Sequence, residues 1–159
     1  MDTGDQLALL ARLALAGFLG AFIGLERELR GYPAGVRTVA LVTLGSALFT
    51  EVSRITGTED RIAAGIVTGI GFLGAGLIFR EGYTVRGITT SATIWTGAAI
   101  GMAVARELYL VAGIGSAMVF LLLEAKPVVR RLESFILSLG RELVLHEEPE
   151  DHREKREDG

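Results

Sequence analysis

The run Leu7–Leu25, LALLARLALAGFLGAFIGL, carries a single charge, Arg12. About 20 predominantly apolar residues cross a bilayer core at 1.5 Å per residue, so this stretch reads as a membrane span. Ile62–Phe79, Gly87–Ala105 and Leu108–Leu123 hold no charge, and Val36–Ile55 is apolar between Arg37 and Glu51. The reading is an all-α polytopic membrane bundle of five transmembrane helices, with spans at about 6–25, 36–55, 62–80, 87–105 and 108–124. Half of the 159 residues are hydrophobic, and a soluble domain of this length would not carry such runs. The net charge of −3 discriminates little, because the acidic excess lies near the C-terminus. There is no cysteine, so disulfides and thiolate metal sites are excluded. The opening Met1-Asp2-Thr3-Gly4-Asp5 lacks the basic region of a signal peptide, and none is expected.

Within the first run stands Gly17-Phe18-Leu19-Gly20-Ala21, which recurs as Gly71-Phe72-Leu73-Gly74-Ala75. Each copy is followed by an Arg-Glu pair, Arg27-Glu28 and Arg80-Glu81, and then by Gly-x-x-Thr, Gly35 to Thr38 and Gly87 to Thr90. Chance is the competing explanation, since glycine and leucine abound in apolar helices; three ordered elements weigh against it. Arginine placement sets the orientation. With the N-terminus outside, the first and third loops and the tail carry 12 cations inside, against Arg54, Arg61 and Arg106 outside. The C-terminus is then cytoplasmic. Both copies insert the same way round, so the first four spans read as a parallel two-hairpin repeat.

Arg12 falls about 9 Å into the first helix and needs a partner or a wet cavity. In a hairpin turning near residues 31–32, residues at equal depth have numbers adding to about 63, as Arg12 and Glu51 do. An intramembrane ion pair is expected there, the alternative being that Arg12 snorkels to the headgroups. Glu26 and Glu28 lie at the inner end of the first helix and Glu124 at the inner end of the fifth; the third, fourth and fifth spans have no deep carboxylate. Cation pathways ordinarily need acidic side chains or carbonyl rings near midplane, so a channel is disfavoured. Gly20/Gly24, Gly65/Gly69 and Gly97/Gly101 have small-xxx-small spacing and are expected to pack helices, within the chain or in a homo-oligomer. Threonines from Thr89 to Thr96 give the fourth helix a polar side, and Trp95 reads as a packing residue. The only histidines, His146 and His152, lie in the tail, so no catalytic or metal cluster is expected in the membrane. The dinucleotide-like spacing in Gly69–Gly76 stands in an uncharged span with no preceding strand, and is discounted.

After Lys126-Pro127, Val128, Leu132, Phe135, Ile136, Leu139 and Leu143 recur at helical spacing opposite Arg130, Arg131 and Arg141. The division is a transmembrane domain, 1–125, an amphipathic juxtamembrane helix, 126–146, on the inner leaflet or a partner, and a charged disordered tail, 147–159.

Two blocks are similar to the MgtC/SapB family of bacterial inner-membrane proteins. One runs Glu26-Arg27-Glu28, Ala34-Gly35-Val36-Arg37-Thr38, Leu41-Val42-Thr43-Leu44-Gly45; the other runs Gly69–Gly76, Gly87–Trp95 and Ala98–Gly101. The resemblance covers roughly residues 8–125. It implies a small multi-pass protein of magnesium homeostasis or low-magnesium adaptation, and in some pathogens of survival inside macrophages. It further implies a regulator whose membrane part binds and restrains the membrane sector of the ATP synthase. Two departures stand out: many members continue into a cytoplasmic ACT-like domain, of which this reads as a short form lacking it, and Ala105-Arg106-Glu107-Leu108 is charged where a glycine-rich turn is expected.

The expected function is therefore a non-catalytic membrane regulator acting through protein contacts, without cofactor, metal or nucleic acid. The alternative is a transporter or channel for Mg²⁺ or another cation, and a third possibility is a small-ligand or ion sensor in the charged cytoplasmic loops. The candidate functional residues are Glu26, Arg27, Glu28, Gly35, Arg37, Thr38, Arg80, Gly87, Thr89 and Thr90; loop capping and positive-inside anchoring compete as explanations.

Overall fold

A computed structural model describes residues 2–125; the amphipathic helix and the charged tail lie outside the described residues. Its elements are α1 (Thr3–Leu29), α2 (Val36–Thr56), α3 (Glu59–Gly76), β1 (Phe79–Glu81), β2 (Thr84–Arg86), α4 (Ile88–Ala105) and α5 (Tyr109–Glu124). The architecture is an all-α membrane bundle with one small hairpin. Helices α1, α2 and α4 are long and apolar enough to cross a membrane, and α5 is a shorter apolar helix. In α3 the first three residues, Glu59, Asp60 and Arg61, are charged, which shortens its apolar part.

Local chemistry explains most element ends. Asp2 and Asp5 form a reciprocal capping box that starts α1 three residues before the expected span. Gly31, in the left-handed region at φ 69°, and Pro33 close it. Gly57 (φ 65°) ends α2 in the same way. Run length extends the third span to residue 80, but α3 stops at Gly76 and the chain turns into β1. Glu81 and Thr84 pair across a two-residue loop, Gly82-Tyr83, with Gly82 at φ 62°. That is hairpin chemistry, which apolar run length does not register.

The core is built on α2, which packs against α1, α3 and α4. One cluster joins Ala16 and Ile23 of α1, Val39 and Ala47 of α2, Ile100, Val104 and Ala105 of α4, and Ala112 of α5. A second joins Ile66 and Ile70 of α3 to Ile94 and Ala98 of α4. Phe22 and Phe120 stack at 4.7 Å and tie α5 to α1.

Thr43 marks the crossing of three helices. It is fully buried, and its hydroxyl donates to the Val39 carbonyl at 2.9 Å. A Cβ added at Gly20 would stand 2.5 Å from Thr43 Oγ1 and 2.8 Å from the Val39 carbonyl; one at Gly97 would stand 3.2 Å from the same hydroxyl. At Gly101 it would overlap the Thr43 carbonyl oxygen, and at Gly24 it would meet Val36 Cα at 2.7 Å. Backbone approach of this kind, not hydrophobic drive, holds helices together in lipid. Gly65 and Gly69 differ: nothing lies within 4 Å of either added Cβ. They face an open apolar groove of about 550 Å³ between α2 and α3, lined also by Leu41, Gly45, Phe49 and Ile66. Small-xxx-small spacing permits close approach, and here α3 inclines to α4 instead.

The two halves of the repeat are not alike in space. Gly20 and Gly74, equivalent in the pentapeptides, both face the next helix, Gly74 meeting Ser91 Cβ at 3.4 Å. The Arg-Glu pairs diverge: Arg27 is buried in the last turn of α1, whereas Arg80 is exposed on β1.

Candidate functional site

Charged side chains of the bundle collect at its two ends, and each end recruits residues distant in sequence. At one end Arg12 Nε donates to Glu51 Oε1, joining α1 to α2. Glu107, in the turn between α4 and α5, accepts from Arg12 Nη1 at 3.1 Å and from Arg54 Nη1 at 3.0 Å. Arg54 also lies 3.6 Å from Glu51 Oε2 and donates to the Ala105 carbonyl at 3.3 Å. Two arginines and two glutamates thus bind three segments of chain. Glu51 is 2% exposed, and the two arginines are the partners that a carboxylate buried there requires. Glu107 adopts φ 63°, a conformation that favours glycine, and its carboxylate gives the reason a charged residue stands in that turn. Glu107 and Arg54 are not among the candidate functional residues that the sequence points to. The signal for Glu107 is the charged departure at Ala105–Leu108, and only the folded turn gives it meaning.

The opposite end lies about 22 Å along α1, at Glu26 and Arg27. Both are 3% exposed. Arg27 Nη2 donates to Thr90 Oγ1 at 2.7 Å, in the first turn of α4. The guanidinium carbon lies 4.3 Å from the centroid of the Tyr32 ring, a cation–π contact that covers one face. Arg27 Nε has no hydrogen-bond partner among the described residues, and neither do the two Glu26 oxygens. Glu26 Oε1 is nevertheless 2.9 Å from Arg30 Nε, an ion pair whose angle makes no hydrogen bond. Glu28 acts differently: its Oε2 accepts from the Val36 amide at 2.8 Å and caps α2, whose N-cap Gly35 has no side chain to do so. A Cβ on Gly35 would press on that carboxylate at 2.6 Å.

The remaining candidates are more dispersed. Arg37, Thr38 and Thr89 are exposed, at the first turns of α2 and α4. Arg80 is exposed in the hairpin, its Nε donating to the Gly82 carbonyl at 2.9 Å. Gly87 precedes α4 at φ 91°, and an added Cβ there would overlap the Leu77 carbonyl. Of the ten residues at this end, the structure brings together Arg27 and Thr90 directly, and Glu28 with Gly35.

Between the two ends the buried side chains among the described residues are polar only through hydroxyls, and several of these turn inward on their own helices. Thr50 donates to Ser46, Ser53 to Thr50, Thr93 to Thr89 and Ser116 to Ala112, each to a carbonyl at 2.7–2.8 Å. Ser91 Oγ instead crosses to the Gly74 carbonyl at 2.6 Å, where α3 runs out. Trp95 is half-exposed and borders a small apolar cavity with Val67, Ile70 and Met102. Among the described residues no group of three or more His, Cys, Asp or Glu is arranged to hold a metal.

Comparison with known proteins places these residues in context. The model of the MgtC family matches residues 13–132. A protein of Synechocystis sp., described as uncharacterized, is 45% identical over 130 residues, 80% of this chain and 54% of its own length. Protein MgtC of Brucella abortus is 50% identical over 95 residues, 58% of this chain and 40% of the relative. Protein MgtC of Salmonella typhimurium is 54% identical over 92 residues, 57% of this chain and 40% of the relative. The chain therefore spans about half, or less, of the length of these curated relatives. No solved structure matches it.

Proposed function

This chain belongs to the MgtC family, and from that premise we propose that it is a non-catalytic regulator of low-magnesium adaptation, acting through contacts with other membrane proteins. The observation that carries the proposal is the distribution of charge. Between the Arg12–Glu51 level and the Glu26–Arg27 level, α1 is uncharged over about 20 Å, and α4 has no charged residue at all. The buried hydroxyls of Thr43, Thr50 and Thr93 donate to carbonyls of their own helices, which argues against a ladder for a hydrated cation. Mg²⁺ gives up its waters reluctantly, and a bundle moving it across this zone would need oxygen ligands there. The family implies the inner membrane of a bacterium as the site, and the arginine bias supports an N-terminus outside with the Arg27 end at the cytoplasmic face. The membrane sector of the ATP synthase, the partner implied by the resemblance, is the first candidate contact.

Cation transport is the second reading, kept alive by the polar side of α4. Reconstitution into liposomes with a trapped Mg²⁺ reporter separates the two. The regulatory reading expects no flux above protein-free vesicles; flux that disappears on Thr90→Val or Arg37→Ala overturns it. Crosslinking in native membranes, read for ATP synthase membrane subunits, then tests the partner.

A further inference from the structure

The first turn of α4 is a donor-rich end to which the described residues supply no acceptor. Ser91 is the first amide in α4 to bond back, to the Gly87 carbonyl at 2.9 Å, so the Ile88, Thr89 and Thr90 amides have no intrahelical acceptor. Gly87 offers no side-chain cap, and the first turn contains no acidic residue. The termini of α1, α2 and α3 are provided for by Asp2 and Asp5, by Glu28, and by Glu59 and Asp60. A helix N-terminus alone is common. What distinguishes this one is Arg27, 97% buried, which reaches it from α1, bonds Thr90 Oγ1 and leaves Nε without a partner among the described residues. A buried guanidinium N–H without an acceptor is costly, and it stands beside the partial positive charge of a helix end.

Glu26 narrows the choice of ligand. Its two oxygens are buried and accept no hydrogen bond among the described residues, although Arg30 Nε stands 2.9 Å from Oε1, and Glu26 is next in sequence to Arg27, whose Nε has no acceptor there. A group that satisfies both presents an anionic oxygen to Arg27 and the α4 amides, and a hydrogen-bond donor to Glu26. We propose that the α4 N-terminus, Arg27 and Glu26 form a binding site for a phosphate group that carries a donor. A protonated inorganic phosphate fits this description, as does a phospholipid headgroup with an ammonium or hydroxyl, such as phosphatidylethanolamine. Sulfate and phosphatidylcholine have the anionic oxygens but no donor, and they are discriminated against.

The test uses the full chain purified in maltoside detergent. Inorganic phosphate and sulfate are titrated by calorimetry, and retention of phosphatidylethanolamine against phosphatidylcholine is measured by native mass spectrometry. Phosphate binding, or preferential retention of phosphatidylethanolamine, supports the site and tells free phosphate from headgroup. Binding of neither overturns it, and equal binding of sulfate and phosphate overturns the role of Glu26. Arg27→Lys keeps the charge but loses the fork, and at least tenfold weaker binding is expected. Thr89→Asp provides a control that does not depend on a buried change, because Thr89 is exposed and a carboxylate in a first helical turn is stabilising. That variant should unfold no more easily than the parent yet bind at least tenfold more weakly, its own carboxylate occupying the amides. Unchanged binding in Thr89→Asp overturns the proposal.

Discussion

Replacing Gly101 by alanine should push α4 away from α2. The added Cβ would overlap the Thr43 carbonyl oxygen, stand 2.9 Å from its carbon and 3.2 Å from the Ala47 nitrogen. All three atoms are backbone, so none can swing aside as a side chain would. Restoring carbon–carbon contacts of about 3.5 Å requires the helices to part by roughly half an ångström or more. Overpacking of this kind costs about 1–3 kcal/mol, and the better helix propensity of alanine returns at most about 1 kcal/mol. Gly69→Ala is the matched control, since nothing lies within 4 Å of its added Cβ and only the propensity gain remains. The two variants should differ by about 2 kcal/mol, a factor of roughly 30 in the unfolding equilibrium. Equilibrium unfolding in mixed maltoside and dodecyl sulfate micelles, followed by far-ultraviolet circular dichroism, measures both. If Gly101→Ala proves as stable as Gly69→Ala, the close crossing at Thr43 is not what holds the bundle.

The charge cluster makes a second prediction: Glu51→Gln should destabilise by about 2 kcal/mol, because it removes the buried carboxylate from Arg12 and leaves it with Glu107 and Tyr109. A double-mutant cycle with Arg12→Gln should show coupling above about 1 kcal/mol, and additive losses would mean the pair is incidental. Glu28→Ala removes the acceptor of the Val36 amide and should cost about 1 kcal/mol, with faster hydrogen exchange in the first turn of α2 as the readout. Gly87→Ala combines a left-handed backbone with an overlap on the Leu77 carbonyl, so it should cost more than about 2 kcal/mol and lower the yield of folded protein.

Charge patterning carried the sequence some distance into the sites. The level matching of a hairpin leads to the Arg12–Glu51 contact, because antiparallel helices have a fixed rise and a loop that fixes the register. It has no means of reaching Glu107, which enters from a turn of another hairpin. In the same way, the matched Gly-x-x-Thr elements suggested equivalent threonines, yet Thr38 is exposed and Thr90 receives Arg27. Sequence identity of two motifs says nothing about which of their faces a third helix covers.

The sequence by itself determined the membrane environment and the helical class, because both depend on local quantities: run length, hydropathy and the placement of arginine. The capping box at Asp2 and Asp5 and the hairpin at Gly82-Tyr83 were also local, and were written in residues that run length overlooks. The tertiary structure alone decided which glycines are contacts and which face a groove: Gly20, Gly24, Gly97 and Gly101 close on backbone or on Thr43, while Gly65 and Gly69 stand open. It alone turned Arg27 toward the uncapped start of α4. Spacing fixes which side chains share a helical face, but lipid imposes no preference among apolar faces. The partner of each face is settled only by how closely the backbones can approach.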